Sequence, residues 1–194
     1  MILGWVESAK QNEDKSAVYF DLEEVLQTPY SNEIQIYYLR KLSTYNLSIF
    51  QIQTKKAHYY MMKETIAFRE ANEIASCLFS YLADAAKIGE KTIMMFCDNC
   101  PSQNKNRFFI TMLWYALNKF KLDTIEQIFL VKGHTFNEND SVHSTIERAY
   151  KSKAIYTTHQ WATVVQMEKN QAQLMMSMKW IWATLLFQKS RWQH

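Results

Sequence analysis

Two clusters of polar and ionisable residues, each directly after an apolar run, carry the chemistry of this chain. The first follows the apolar run 92–97 and begins with Asp98. The second follows the apolar run 127–132 and begins with Gly133-His134-Thr135. In open α/β sheets, ligands bind beyond the carboxyl ends of the strands. We therefore expect both clusters to lie at one active-site edge.

Carboxylates from distant parts of the chain predict a metal site at that edge. Asp21 follows the short β-prone run 17–20, Asp98 follows the run 92–97, and a third acid is expected on a later helix. Crowded carboxylates repel one another unless a cation holds them, and hard oxygen ligands suit Mg²⁺ or Mn²⁺. Two such ions about 4 Å apart can activate water or a 3′-hydroxyl for in-line attack on a phosphodiester. The expected cofactor is therefore a pair of Mg²⁺ or Mn²⁺ ions.

The third acid has two candidates, Asp140 and Glu147, on a helix predicted over residues 138–153. Seven residues keep both on one face but separate them by about 10 Å along the axis. The first turn is nearest the strand end, which favours Asp140 as the metal ligand and leaves Glu147 as the reserve acid. His143, one turn from each, could orient a carboxylate or water. His134 is a candidate general base or phosphate contact.

Each acid also has a structural alternative. Asp21 could be a turn residue or a helix N-cap, and Asp140 could likewise cap its helix. Glu147, close to Arg148 and Lys151, also fits an ordinary solvated helix face. Asp98 is harder to explain by packing, because an acid between an apolar strand and a polar loop rarely serves the core.

The sequence Cys97-Asp98-Asn99-Cys100 matches a C-x-x-C motif, which could be a thioredoxin-like redox site or half of a zinc site. The sequence contains no second pair of this kind, and the side chain of Cys97 should point away from that of Asp98. Three cysteines without a disulfide pattern fit a reducing compartment. Both thiol-based interpretations are therefore weaker than the carboxylate one.

A polar loop and the helix after it provide candidate nucleic-acid contacts. Lys105 and Arg107 lie at a predicted helix N-terminus beside the proposed metals, where they could hold a phosphate. The full set of candidate nucleic-acid contacts is Gln103, Asn104, Lys105, Arg107 and His143. The net charge of +3 permits a nucleic-acid partner if the basic groups cluster.

Hydrophobic periodicity gives the elements that must position these residues. Region 33–45 fits a strand or a helix equally, and Thr54-Lys55-Lys56 predicts the turn of a hairpin. The predicted helices cover about 71–87, 105–120, 138–153 and 159–173. Antiparallel strands followed by right-handed β-α-β crossovers predict an α/β fold with a mixed five-stranded sheet flanked by helices. That is the layout of the ribonuclease H-like fold.

The 194 residues are expected to form one domain over 17–166, after a lead-in at 1–16 and before a tail at 167–194. No secretory signal is visible. The longest apolar stretch, 174–187, is short for a membrane span and is interrupted by Lys179. We expect an intracellular protein without a membrane partner.

Residues 98–106, D-N-C-P-S-Q-N-K-N, and residues 133–147, which begin G-H-T, resemble a group of transposon-derived eukaryotic proteins. Those proteins are similar to transposases of the DDE type, which have a ribonuclease H-like catalytic domain. The resemblance runs from about Tyr19 to Trp161. The Q-N-K-N segment is specific to the group, whereas the three-acid pattern is generic.

The resemblance implies Asp21 and Asp98 as the first two acids and Asp140 or Glu147 as the third, with His134 nearby. It implies DNA as substrate and partner, phosphodiester hydrolysis with strand transfer as the reaction, a possible homo-oligomer and a nuclear location. Relatives carry cysteine-rich N-terminal segments that this chain lacks, and the tail matches nothing in them, which predicts a truncated copy. The alternative is a catalytically inactive remnant or a domesticated module that binds DNA or protein.

Overall fold

The computed structural model describes residues 7, 9, 11–23, 25–65, 71–130, 138–167 and 176–180; at 138–142, 167 and 176–180 it describes the backbone alone. The strands are β1 (Lys15–Leu22), β2 (Leu26–Thr28), β3 (Leu42–Gln51), β4 (Lys56–Lys63), β5 (Thr92–Asp98), β6 (Thr124–Leu130) and β7 (Met176–Trp180). The helices are α1 (Ile34–Tyr37), α2 (Ala71–Lys87), α3 (Arg107–Phe120), α4 (Glu138–Tyr150) and α5 (Thr158–Met167).

The strands form one mixed sheet in the order β6-β5-β1-β3-β4-β7, and β2 pairs with β3 beside this path. Strands β1, β3 and β4 form an antiparallel meander. Strand β5 then joins β1 in parallel and β6 joins β5 in parallel. This mixed α/β sheet with flanking helices is compatible with a ribonuclease H-like fold and confirms the predicted fold class. Strands β2 and β7 are additional to the five predicted strands.

Alternation along β1 explains why the sheet is covered on both faces. Val18, Phe20 and Leu22 pack into a core that also contains buried residues of α2 and α3. Tyr19 points to the opposite face, where residues of α4 and α5, including the buried Trp161, pack against β3 and β4.

Helices α2 and α3 form the layer over the first face. Helix α3 begins at its N-cap Asn106, whose side chain accepts a hydrogen bond of 3.0 Å from the backbone N–H of Phe109. It ends at Lys121, which adopts a left-handed conformation with φ 54°. Its buried residues are Phe109, Met112 and Ala116, so one side of the helix is sufficient to attach it to the core.

Most predicted elements are present, with differences at their ends. The hairpin is confirmed, with Lys55 in its turn at φ 52°. The ambiguous region divides into the short helix α1 and the start of β3. Strand β6 begins three residues before the predicted run 127–132.

At the two ends of the chain the outcome differs. Strand β1 begins at Lys15, within the predicted lead-in 1–16. Strand β7 lies in the tail, for which no strand was predicted, although Met176, Met178 and Trp180 alternate with polar residues. Among the described residues, no helix is both long and apolar enough to cross a membrane.

Candidate active site

Asp21 and Asp98 lie on the same face of two neighbouring parallel strands. Strands β1 and β5 pair with Tyr19 beside Phe96, and each aspartate follows two residues later on its own strand. The ring centres of Tyr19 and Phe96 are 5.1 Å apart, so the two side chains that precede the acids on this face are already in contact. Neighbouring strands are about 4.8 Å apart. The fold therefore brings the first two predicted acids together at the carboxyl edge.

Asp98 is exposed, and the loop after it holds one of its oxygens. The Asn104 side chain, which is buried, donates a hydrogen bond to Oδ1 of Asp98. The Asn104 carbonyl accepts a hydrogen bond of 3.1 Å from Nε2 of Gln127 on β6. Asn104, predicted as a nucleic-acid contact, therefore connects the loop to β6 and orients the carboxylate of Asp98.

The other candidate nucleic-acid contacts on this loop are more accessible. Lys105 and Arg107 are exposed, and Gln103 is half-buried. Nζ of Lys105 lies 5.3 Å from the ring centre of Phe129, and the guanidinium of Arg107 lies 5.0 Å from that of Phe108. Two cations therefore stand at the start of α3, beside the loop that carries Asn104 and Asp98.

Helix α4 crosses the face that carries the two aspartates. His143 is half-buried, and its Nε2 lies 2.7 Å from Oγ of Ser48. Ser48 on β3 pairs with Asp21 on β1 and is itself buried. Ile146, one turn after His143, is buried in the core of this face. His143 is therefore directed at the strand next to Asp21.

The candidates for the third acid differ in what the structure describes. Asp140 lies on α4, three residues before His143, and its side chain is outside the described part. Glu147 is exposed and forms a 3.2 Å ion pair with Lys151. His134 lies outside the described residues. The spacing of three residues places Asp140 on the same side of the helix as His143.

Two polar residues of this edge were not identified as site residues from the sequence. Glu23 is buried, and its Oε2 accepts a hydrogen bond of 2.6 Å from Nδ2 of Asn46. The backbone N–H of Glu23 also donates to the Asn46 carbonyl at 2.9 Å. The available signal was the alternation of Asn46 and Ser48 with apolar residues along β3, which marks a polar line on one face.

The thiol of Cys97 does not support a redox site. Cys97 is buried in the core under α2 and α3, on the face opposite Asp98. Burial, assisted by the negative charges of Asp98 and Asp21, raises its pKa to about 12, although a hydrogen bond from Gln127 opposes the rise. A reactive thiol needs a lowered pKa.

The donor set at this edge suits a hard divalent cation. The two aspartates offer carboxylate oxygens, the ligands that Mg²⁺ and Mn²⁺ prefer. Among the side chains that the structure describes, no three His, Cys, Asp or Glu residues are grouped closely enough to hold a metal ion. The two described aspartates are therefore only part of the three-acid set that the sequence predicts.

Comparison with known proteins places the chain in a family. No curated protein matches it. Residues 39–190 match the family described as a domain of unknown function, DUF7869. The matched span includes Asp98, the Asn104 loop, Asp140 and His143. Because the match covers most of the 194 residues, the chain belongs to the DUF7869 domain family.

Proposed function

We propose that the chain is a DDE-type, metal-dependent nuclease and strand-transfer domain that acts on DNA and has a transposon origin. One observation carries this proposal: Asp21 and Asp98 end neighbouring parallel strands on the same face, under the helix that bears Asp140. Acids in such an arrangement repel one another unless a cation is shared between them. Each carboxylate is oriented by a hydrogen bond: Oδ1 of Asp21 accepts one of 2.8 Å from the backbone N–H of Leu22, and Oδ1 of Asp98 accepts one from Asn104.

Asp21, Asp98 and Asp140 would hold the cations, with Glu147 as the reserve acid. Bound Mg²⁺ or Mn²⁺ would supply activation of water or a 3′-hydroxyl and charge stabilisation at the scissile phosphate. The hydrogen bond from Asn104 keeps the carboxylate of Asp98 in one orientation. Such preorganisation matters because misplaced ligands forfeit much of the rate.

The cations around the acidic pair support a polyanionic substrate. Lys105 and Arg107 are exposed at the start of α3, close to the loop that orients Asp98. Positively charged side chains beside metal-binding carboxylates position phosphates without reading the bases. DNA as substrate would also place the protein in the nucleus, and joining two DNA ends would require at least two copies of the chain.

The proposal is tested by titrating the protein with Mn²⁺ and Mg²⁺ in a calorimeter and assaying the same samples for nicking of supercoiled DNA. Asp98→Asn removes the ligand charge but retains an acceptor for Asn104. The matched control is Asp123→Asn, because Asp123 is exposed just before β6, at the amino end of the sheet. We expect wild type and Asp123→Asn to bind and nick, and Asp98→Asn to do neither.

Other results would select a different function. Cation binding without nicking in the wild type would indicate a metal site that needs a further DNA-binding part. Equal cation binding by wild type and Asp98→Asn would show that the cations do not bind at Asp21 and Asp98. Absence of binding in every variant would leave the alternative, a non-catalytic module that binds DNA or protein through the same fold.

A further inference from the structure

Helix α3 presents large apolar side chains outside its core face. Its core face is already buried through Phe109, Met112 and Ala116. On the outer side, three large apolar side chains remain open to solvent, and their exposed fractions are Phe108 56%, Ile110 63% and Trp114 67%. Tyr115 is 42% exposed, and the other part of its ring stacks on Phe79 of α2 at 5.7 Å. A helix needs one apolar face to attach to a core. The outer apolar side chains therefore need another explanation.

The charges on this helix have a single sign. The sequence 105–121 contains Lys105, Arg107, Lys119 and Lys121 and no Asp or Glu. Nζ of Lys119 lies 5.3 Å from the ring centre of Tyr115 and 3.3 Å from its hydroxyl oxygen. Cations are therefore held beside exposed aromatic rings at both ends of α3, since Arg107 packs on Phe108 at the other end.

We infer that the outer face of α3 binds unpaired nucleotides, with bases stacked on Trp114 and neighbouring rings and phosphates at the flanking cations. Surfaces that bind single strands combine a positively charged track with aromatic platforms. Protein interfaces are instead depleted in Lys, whereas Lys119 lies on α3 and Lys105 and Lys121 lie just beyond its two ends. The identification of the polymer as DNA rests on the proposed function.

The position of the face fits a strand that leaves the acidic pair. Arg107 and Trp114 are seven residues apart within α3, which keeps them within about 20° of one another around the helix and about 10 Å apart along it. Lys121 follows at the end of the helix. Its first turn adjoins the loop in which Asn104 holds Asp98. Because α3 covers the face of the sheet opposite the two aspartates, a strand that leaves them reaches α3 by passing around the carboxyl edge at this loop.

The test measures binding of a fluorescein-labelled oligothymidylate, about 12 nucleotides long, by fluorescence anisotropy. EDTA is present to remove divalent cations, so that the metal site contributes nothing to binding. We expect Trp114→Ala to weaken binding about tenfold or more, because loss of one stacked base has roughly that effect. Trp114→Phe should retain most of the affinity. The matched control is Tyr37→Ala, because Tyr37 is an equally exposed aromatic residue on α1. Melting by circular dichroism should show the same Tm for all variants.

The salt dependence separates stacking from charge. Arg107→Gln should reduce the slope of log K against log salt by about 0.7, the value for one phosphate contact on a single strand. Trp114→Ala should leave that slope unchanged. Binding of the oligonucleotide by the wild type without any nicking would reject the proposed reaction alone.

Two results would overturn the inference. Equal affinity of wild type and Trp114→Ala, or no binding by the wild type, would show that the face does not bind unpaired nucleotides. If sedimentation velocity then showed self-association that Trp114→Ala abolishes, the face would be a protein interface. Nicking by the wild type would survive either result, so the two proposals fail independently.

Discussion

Nε2 of His143 lies 2.7 Å from Oγ of Ser48 and fastens helix α4 to the middle of the sheet. Ser48 pairs across the ladder with Asp21, and its hydroxyl also lies 3.4 Å from the Asp21 carbonyl oxygen. The helix that carries the candidate third acid is thus fixed to the strand position beside the first acid. This contact joins residues 95 positions apart in the chain.

The contact between Ser48 and His143 should be measurable as a coupling energy. We expect Ser48→Ala and His143→Ala each to lower the free energy of unfolding by about 0.5–1.5 kcal/mol, since each removes the same hydrogen bond. The double variant should lose less than the sum, as urea denaturation would show. Ser48→Ala combined with Lys151→Ala is the control and should be additive. Full additivity in the Ser48 and His143 cycle would contradict the contact.

Asn104 should matter more for stability than other asparagines on this side of the fold. Asn104→Ala removes the donor to Asp98 from a buried position, and we expect a loss of about 1–3 kcal/mol in the free energy of unfolding. The control is Asn118→Ala, because Asn118 is exposed and its Nδ2 donates at 2.7 Å to the Trp114 carbonyl. That change should stay within about 0.5 kcal/mol. If urea denaturation gave similar losses of unfolding free energy for Asn104→Ala and Asn118→Ala, the hydrogen bonds of Asn104 would contribute no more than those of an exposed asparagine.

The three cysteines should differ sharply in reactivity. All three are free; Cys77 and Cys97 are buried, and Cys100 is partly exposed. Burial raises the pKa of Cys97 to about 12, and burial raises that of Cys77 as well. We expect iodoacetamide at about pH 8 to modify Cys100 alone in the folded protein, since the thiolate is the reactive form. Mass spectrometry would locate the label, and all three residues should react in urea. Rapid labelling of Cys97 in the folded protein would revive the redox interpretation.

Glu90 should make stability depend on pH. Glu90 is buried, Nε2 of Gln51 donates to its Oε1 at 2.6 Å, and its Oε2 is buried without a hydrogen-bond partner. Burial raises the pKa of Glu90 above its usual value of 4.5, although hydrogen bonds from Ser16 and Gln51 oppose this. The folded state therefore binds the proton more tightly than the unfolded state. Its contribution to stability is complete below the usual pKa and is lost as the pH rises through the folded pKa.

Glu90→Gln should remove this dependence, because an amide does not ionise. Relative to wild type, the variant should gain stability as the pH rises from about 4.5 towards neutrality, by up to about 1.4 kcal/mol for each unit by which the pKa is raised. Urea denaturation at several pH values would test it. The control is Glu13→Gln, because Glu13 is exposed. A difference between Glu90→Gln and wild type that is constant over the whole pH range would contradict the prediction.

Local pattern determined most of the secondary structure. The apolar spacing of α2 and the alternation on both sides of Lys55 were sufficient to place a helix and a hairpin, because each depends on residues close in the chain. The order of these elements then restricted the topology to the mixed sheet that the structure has. The position of Asp98 after an apolar run also marked the edge of the sheet without any tertiary information.

Region 33–45 could not be decided locally, because Ile34, Ile36 and Tyr38 fit a strand while Tyr38 and Tyr45 fit a helix. Pairing of β3 with β1 and β4 extends the strand back to Leu42 and leaves only α1 before it. Strand β7 was missed for a related reason. Met176, Met178 and Trp180 alternate with polar residues, but five residues within a long Met- and Trp-rich run are too few to stand out. The strand is defined by its parallel pairing with β4, more than a hundred residues earlier.

The sequence by itself determined that Asp21 and Asp98 each lie near the carboxyl end of a strand, because an acid after an apolar run is a local feature. Only the tertiary structure decided that these strands are neighbours and that both acids occupy one face at matching positions. It also decided that Asn104 holds Asp98 and that His143 meets Ser48. The physical reason is that strand adjacency and register depend on crossover handedness and core packing between segments far apart in the chain, about which neighbouring residues carry no information.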